Sequence, residues 1–276
     1  MSTEPTSHYG RAGRNLPVAT AVGVGLFAIF ALSLVYKPFV FAILAAVVMV
    51  LAVKELTDAL IGPIPLLVRR VLFVASPAIM LAAYLGGTDW LLGTYVSTML
   101  ALIVARLFNG PERYVSHVSR SLFIVTYAPL MAGFAVMLAA ETKGDLKVLA
   151  LVLLTSGADI GGYFAGVAFG KHPLVPKISP KKTWEGLAGA VLLEMLIGAL
   201  LWSLMFHDQW WQGVIAGAIM ACTATIGDLI ESMIKRDLGI KDMSNMIPGH
   251  GGIMDRLDSL VVNAAVAWGL FALFVH

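Results

Sequence analysis

A succession of apolar runs, each about as long as a bilayer is thick, limits this chain more than any other feature. About 20 apolar residues in a helix cross the hydrocarbon core. Inside lipid every backbone N–H and C=O must be satisfied within the segment, which helices and closed barrels alone achieve. Such runs occur at roughly 17–36, 38–60, 68–86, 90–108, 119–140, 146–170, 185–206, 210–231 and 252–275. They predict an all-α, polytopic integral membrane helical bundle of about nine transmembrane helices. Composition agrees: 59% of residues are hydrophobic and 13% charged, against about 45–50% and about 25% in a soluble domain. The single cysteine, Cys222, lies inside an apolar run, which excludes a disulfide framework and reads as a small packing residue.

Lys and Arg concentrate in cytoplasmic loops. With the N-terminus inside, only Lys37, Lys143 and Lys147 of the 19 basic residues fall in outer turns. This predicts a multi-pass protein of the inner cell membrane, with residues 171–184 and 232–251 facing the cytoplasm and the C-terminus outside. Residues 1–16 read as a flexible cytoplasmic tail carrying Arg11 and Arg14. Residues 17–145 read as a five-span scaffold and 146–276 as a four-span catalytic region. In the scaffold, Lys54, Glu55 and Asp58 sit at the inner end of the second span, and Lys54 with Asp58 has the spacing of an ordinary helix-surface pair.

Chemistry concentrates in four segments of the second half. Asp159 lies within a glycine- and small-residue run, and a carboxylate inside an apolar span should face a cavity or a partner. Tyr163 follows one turn later on the same face, and Gly162, Gly166 and Gly170 recur every four residues, a spacing that admits a neighbouring helix. Next, Ser179-Pro180-Lys181-Lys182-Thr183-Trp184-Glu185-Gly186 reads as a helix start, Ser179 as N-cap and Pro180 at the first helical position. Two lysines in a first turn oppose the helix dipole, which points either to a bound anion or to an anchor near anionic headgroups. Third, Asp228, Glu231, Ser232 and Lys235 are spaced 0, 3, 4 and 7 and share one helical face. Fourth, Pro248-Gly249-His250-Gly251-Gly252 cannot continue a helix and lets backbone amides converge on an anion. His250 can donate to a phosphate or simply satisfy the turn. Asp255 and Asp258 follow on the last span, with Arg256 beside them. They suit either the helix dipole or, facing Asp228, a hard-oxygen site for Mg²⁺. No His/Cys cluster suits zinc, and no Walker loop or Rossmann fingerprint is present.

From Ser232 to Asp258 the pattern Ser-x-x-Lys-Arg, Lys241-Asp242, Pro-Gly-His-Gly-Gly, Asp255-Arg256-x-Asp258 resembles the signature of phosphatidate cytidylyltransferases (CDP-diacylglycerol synthases) of bacterial type. The Ser-Pro-Lys-Lys-Thr-x-Glu-Gly segment and the Asp in a small-residue run ahead of it are similar as well. The resemblance implies CTP and phosphatidic acid as substrates, membrane lipids as surroundings, and a homodimer. Nucleic acid is not an expected partner.

On that footing the expected reaction is CTP + phosphatidic acid → CDP-diacylglycerol + pyrophosphate. Asp228, Asp255 and Asp258 are the expected ligands of Mg²⁺, with a second cation left open. Lys235, Arg236, Lys241, Asp242, His250 and Arg256 complete the expected catalytic set. Asp159, Tyr163, Ser179, Lys181, Lys182, Thr183, Glu185, Ser232, Gly249, Gly251 and Gly252 are the expected substrate-binding residues. Rival readings are a CTP-dependent polyprenol kinase and an ion-coupled transporter. A CDP-alcohol phosphatidyltransferase is disfavoured because its Asp-Gly-x-x-Ala-Arg hallmark is absent.

Overall fold

The computed structural model describes residues 16–247 and 251–275, with side chains from Gly23 onward. The expected tail, with Arg11 and Arg14, and Pro248, Gly249 and His250 of the glycine loop lie outside the described residues. Among the described residues the α-helical elements run in order: α1 Leu16–Tyr36, α2 Pro38–Leu60, α3 Leu66–Leu107, α4 Tyr114–Val125, α5 Met131–Ala140, α6 Gly144–Phe169, α7 Trp184–Leu201, α8 Trp210–Asp237 and α9 Met254–Phe274. A two-stranded antiparallel hairpin, β1 Pro173–Val175 and β2 Ser179–Thr183, separates α6 from α7.

Seven helical segments among the described residues are long and apolar enough to cross a membrane. The expected spans do not map one-to-one onto these helices. Residues 68–86 and 90–108 both lie in α3, where two helices meet at a sharp turn at Gly87, φ 58° and ψ −143°. At about 1.5 Å per residue its contour is about 63 Å, about twice the roughly 30 Å hydrocarbon thickness. Glycine takes this backbone conformation without the penalty a Cβ would bring. The expected span 119–140 is built from α4 and α5, joined through a π turn, Thr126–Leu130. Pro129 in that turn has no N–H to donate. Helix α8 continues six residues beyond the expected 231, carrying Lys235 and Arg236 on an extra turn and a half.

The lipid-facing surface and the interior follow from the same composition. Val35, Leu32, Val167 and Leu204 are exposed on the outside, as apolar side chains are in a helix that spans a membrane. Inside, Trp202 stacks on Phe271 at 5.1 Å between ring centroids, with Phe206 edge-on to Phe271. Cys222 is exposed on α8, not packed as expected. Helices α6, α7 and α8 approach very closely because glycines line their seams. A Cβ on Gly161 would stand 2.8 Å from the Gly189 carbonyl, and one on Gly227 would stand 2.8 Å from Ser259 Cα of α9.

Several loops gather at one end of the bundle. Arg236 donates to the Ile178 carbonyl at 3.3 Å, tying the end of α8 to the hairpin. Arg120 donates to the Leu60 carbonyl at 2.6 Å, joining α4 to the end of α2. Lys54 and Asp58 form the expected surface pair at 2.9 Å. Glu55, between them in sequence, turns inward to the loop before α9.

Candidate active site

The glycine seams leave a cavity of about 320 Å³ between α6, the hairpin, α7 and α8. Asp159 and Tyr163 enter it from α6. Ser179, Lys181, Lys182 and Thr183 enter from β2, and Asp228 and Ser232 from α8. Eight residues singled out in three separate segments thus line one space. Gly162, Gly166 and Gly186 form part of its wall, and the missing side chains leave the room a substrate would fill.

Local structure in the lysine segment differs from the expectation. Residues 179–183 are a β-strand, paired Val175 with Ser179 and Pro173 with Thr183. The helix begins at Trp184, and its N-cap is Thr183, whose hydroxyl accepts the Gly186 N–H at 3.1 Å. Ser179 is therefore not the cap, and the two lysines precede α7 on β2, outside its first turn. Two side chains in this segment were competent N-caps. Pairing with β1 decides for Thr183, since a β-branched residue suits the extended backbone and Pro180 is tolerated in an edge strand.

The cationic side of the cavity is held in place by carboxylates. Lys182 forms an ion pair with Asp228, their side chains 28% and 30% exposed. Glu185 lies outside the cavity lining. It accepts the backbone N–H groups of Lys171 and His172, each at 3.2 Å, and pairs with the His172 ring at 2.5 Å. It fixes the base of the hairpin that presents Lys181 and Lys182.

The face predicted for α8 divides. Asp228 and Ser232 look into the cavity, whereas Glu231 and Lys235 pair with each other and turn to α9. Lys235 Nζ also donates to Asp255 Oδ1 at 2.9 Å. The other oxygen of Asp255 accepts the N–H of Met243 at 2.9 Å and of Gly252 at 2.7 Å. Asp255, its side chain 5% exposed, is paired with Lys235. Asp258 lies where the charges of Asp228 and Asp159 act on it, next to the close contact of Gly227 with the Asp258 carbonyl. Its Oδ1 accepts the Ser259 N–H at 2.7 Å.

Tested against a divalent cation, this donor set fits in part. Asp228 lines the cavity, and Asp258, outside that lining, is next to it only through the backbone contact at Gly227, whereas both Asp255 oxygens already accept hydrogen bonds. No group of three or more His, Cys, Asp or Glu side chains is gathered as metal ligands among the described residues. Two carboxylates completed by substrate phosphates are the usual environment of Mg²⁺.

Ahead of α9, Ile247 and Gly251 form an antiparallel bridge. Ile247 N–H donates to the Gly251 carbonyl at 2.8 Å, and Gly251 adopts φ 83°, a conformation that favours glycine. Asp242 reaches toward this turn, since a Cβ on Gly251 would stand 3.7 Å from its Oδ1. Lys241 and Arg256 are exposed at the same end. His250 and Gly249 fall outside the described residues.

Two carboxylates escaped assignment from sequence. Glu194 of α7 is fully buried, and among the described residues neither of its oxygens has a hydrogen-bond partner. A lone carboxylate inside an apolar run, the signal that singled out Asp159, was available for it. Glu55, 2% exposed, had no local signal, because its partners lie 189 to 199 positions away.

Residues 17–274 match the cytidylyltransferase family. A Mycobacterium leprae protein named phosphatidate cytidylyltransferase is 35% identical, over 98% of this chain and 92% of its own. A Mycobacterium tuberculosis protein of the same name is 35% identical, over 96% of this chain and 85% of its own. A third of that name, from Pseudomonas aeruginosa, is 42% identical over 44% of this chain and 47% of its own. With the match spanning nearly the whole chain, this all-α membrane protein belongs to the cytidylyltransferase family of nucleotidyl-transferring enzymes.

Proposed function

We propose that the chain transfers CMP from CTP to phosphatidic acid, giving CDP-diacylglycerol and pyrophosphate, at the cytoplasmic face of the inner membrane. One observation carries the reading. In this family member Lys181 and Lys182 line the same cavity as Asp159 and Asp228, at the loop-bearing end of the bundle. Opposed charges in one pocket suit a substrate that brings both phosphates and a cation. The relatives' names support CTP and phosphatidate as its two halves. The bias of basic residues to one side supports the cytoplasmic orientation, and the length of α3 supports two crossings within it. The homodimer rests on the resemblance alone.

In the proposed mechanism a phosphate oxygen of phosphatidate attacks the α-phosphorus of CTP in line, and pyrophosphate leaves. A phosphate monoester has a second pKa near 6, so at neutral pH the nucleophile is already ionised and needs no strong base. The protein's work is positioning and charge stabilisation. Lys181 and Lys182 hold the triphosphate, with Asp228 orienting Lys182 until substrate arrives. Ser179, Thr183, Ser232 and Tyr163 border the same space and shape it. Asp228 with Asp258 would hold Mg²⁺, which when bound neutralises phosphate charge. Asp255 is assigned to holding Lys235 beside this site.

Purified protein given phosphatidate and CTP labelled at either the α- or the γ-phosphate separates the alternatives. Label from the α-position alone in the lipid supports cytidylyl transfer. Label from the γ-position would mark a lipid kinase, and the absence of both would favour a transporter.

A further inference from the structure

We infer that Glu55 of α2 is a positioning residue for the reaction: a carboxylate from the N-terminal half that caps α9 from across the bundle and sets the placement of Asp255 and Asp258. The inference rests on the proposed function for its kinetic test, but its geometry stands apart. The first N–H groups of a helix have no partner inside it, and a Ser, Thr, Asp or Asn at the N-cap normally supplies one. At α9 the N-cap is Ile253, which has no side-chain hydrogen bond to give.

Glu55 takes that place. Its Oε2 accepts the Met254 N–H at 2.7 Å, and its Oε1 accepts the Ile253 N–H at 3.2 Å. The Ser244 hydroxyl donates to the same Oε1, so the loop and the helix start converge on one carboxylate. The preceding amide, that of Gly252, is taken by Asp255. Three successive amides at the start of α9 are thus divided between two carboxylates, one from the helix itself and one from α2. Negative charge at a helix start is also favoured by the dipole.

Gly252 makes the contact possible. A Cβ there would lie 2.3 Å from Glu55 Oε1, 2.7 Å from its Cδ and 2.8 Å from its Oε2, so a larger residue would displace the Glu55 carboxylate from the start of α9. From this anchor the helix runs directly to Asp255, which holds Lys235, and to Asp258 beside Gly227. A shift of the start of α9 therefore moves both acidic residues. The scaffold half thereby gains a specific part in the site.

The test uses the full chain in lipid–detergent micelles, with wild-type CMP transfer measured first. Glu55→Gln replaces one acceptor with a donor facing backbone N–H groups. It should lower kcat about tenfold or more while KM for CTP changes less than about threefold, the pattern of misplaced groups and not lost binding. Hydrogen exchange read by mass spectrometry should show faster exchange at residues 252–254 with peptides of α6 and α7 unchanged. Lys54→Ala, one position away in an exposed pair, should keep kcat within about twofold. If Glu55→Gln does not accumulate, Glu55→Asp carries the same test. It keeps the charge but is a methylene short, so kcat and protection should be intermediate.

Wild-type kcat together with unchanged exchange at 252–254 in either variant overturns the inference. So does faster exchange throughout the protein, which would make Glu55 a general structural residue. An inactive wild type would count against the proposed function alone, leaving the exchange result to decide the role of Glu55.

Discussion

Replacing Gly227 by alanine tests whether the α8–α9 contact sets the geometry of the acidic site. The added Cβ would stand 2.7 Å from the Asp258 carbonyl oxygen and 2.8 Å from Ser259 Cα. Both obstacles are backbone, so no rotamer change relieves them. Reaching the ordinary contact limit of 3.4 Å requires the helices to part locally by about 0.7 Å. The Ser259 hydroxyl, which donates to the Ala224 carbonyl at 3.0 Å, resists that movement. Overpacking of this kind costs about 1–3 kcal/mol in stability. A displacement near 1 Å between groups that must act together can cost about 100-fold in rate. Gly227→Ala should therefore lower kcat by roughly 30- to 100-fold while the protein still inserts and unfolds cooperatively at a reduced temperature. Gly269→Ala on α9, where a Cβ meets nothing within 4 Å, is the matched control and should be indistinguishable from wild type. CMP transfer to phosphatidate and thermal unfolding in micelles provide the two readouts. Wild-type turnover in Gly227→Ala would refute the view that this seam positions Asp228 against Asp258.

Further expectations concern individual side chains. Thr183→Ala removes the cap of α7 and should destabilise the protein by about 1 kcal/mol in a thermal melt, whereas Thr183→Ser should not. Asp228→Asn should raise the Mg²⁺ concentration needed for half-maximal turnover, while Asp255→Asn should reduce kcat without moving it. Equal shifts in both would restore Asp255 as a metal ligand. Cysteines placed at Lys181 and Lys241, after Cys222→Ser, should react with impermeant maleimide only from the cytoplasmic side of oriented vesicles. Labelling from outside would reverse the orientation.

The helical membrane character was legible because it needs only run length, and the break in α3 was visible as the polar interval around Gly86, Gly87, Thr88 and Asp89. The cavity was legible as chemistry: Asp159, the lysine pair and Asp228 each stood out against apolar surroundings. The hairpin was not, because Ser179-Pro180 imitates a helix start locally and the pairing with Pro173–Val175 that overrules it is a tertiary contact. The helical period placed Asp228, Glu231, Ser232 and Lys235 on one side of α8. It could not say that a neighbouring helix would divide them between the cavity and Asp255. Glu55 lay beyond local reading altogether, since its role exists only once residues nearly 200 positions later fold against it.

Binding of labelled CTP to the Lys181→Gln/Lys182→Gln protein, compared with wild type under Mg²⁺ and without phosphatidate, tests the central claim most directly. If the cavity seats the triphosphate, affinity should fall by about tenfold or more, since a hydrogen bond to a charged group contributes about 1.5–3 kcal/mol. Unchanged CTP affinity in a folded double variant would contradict the account and move the nucleotide elsewhere.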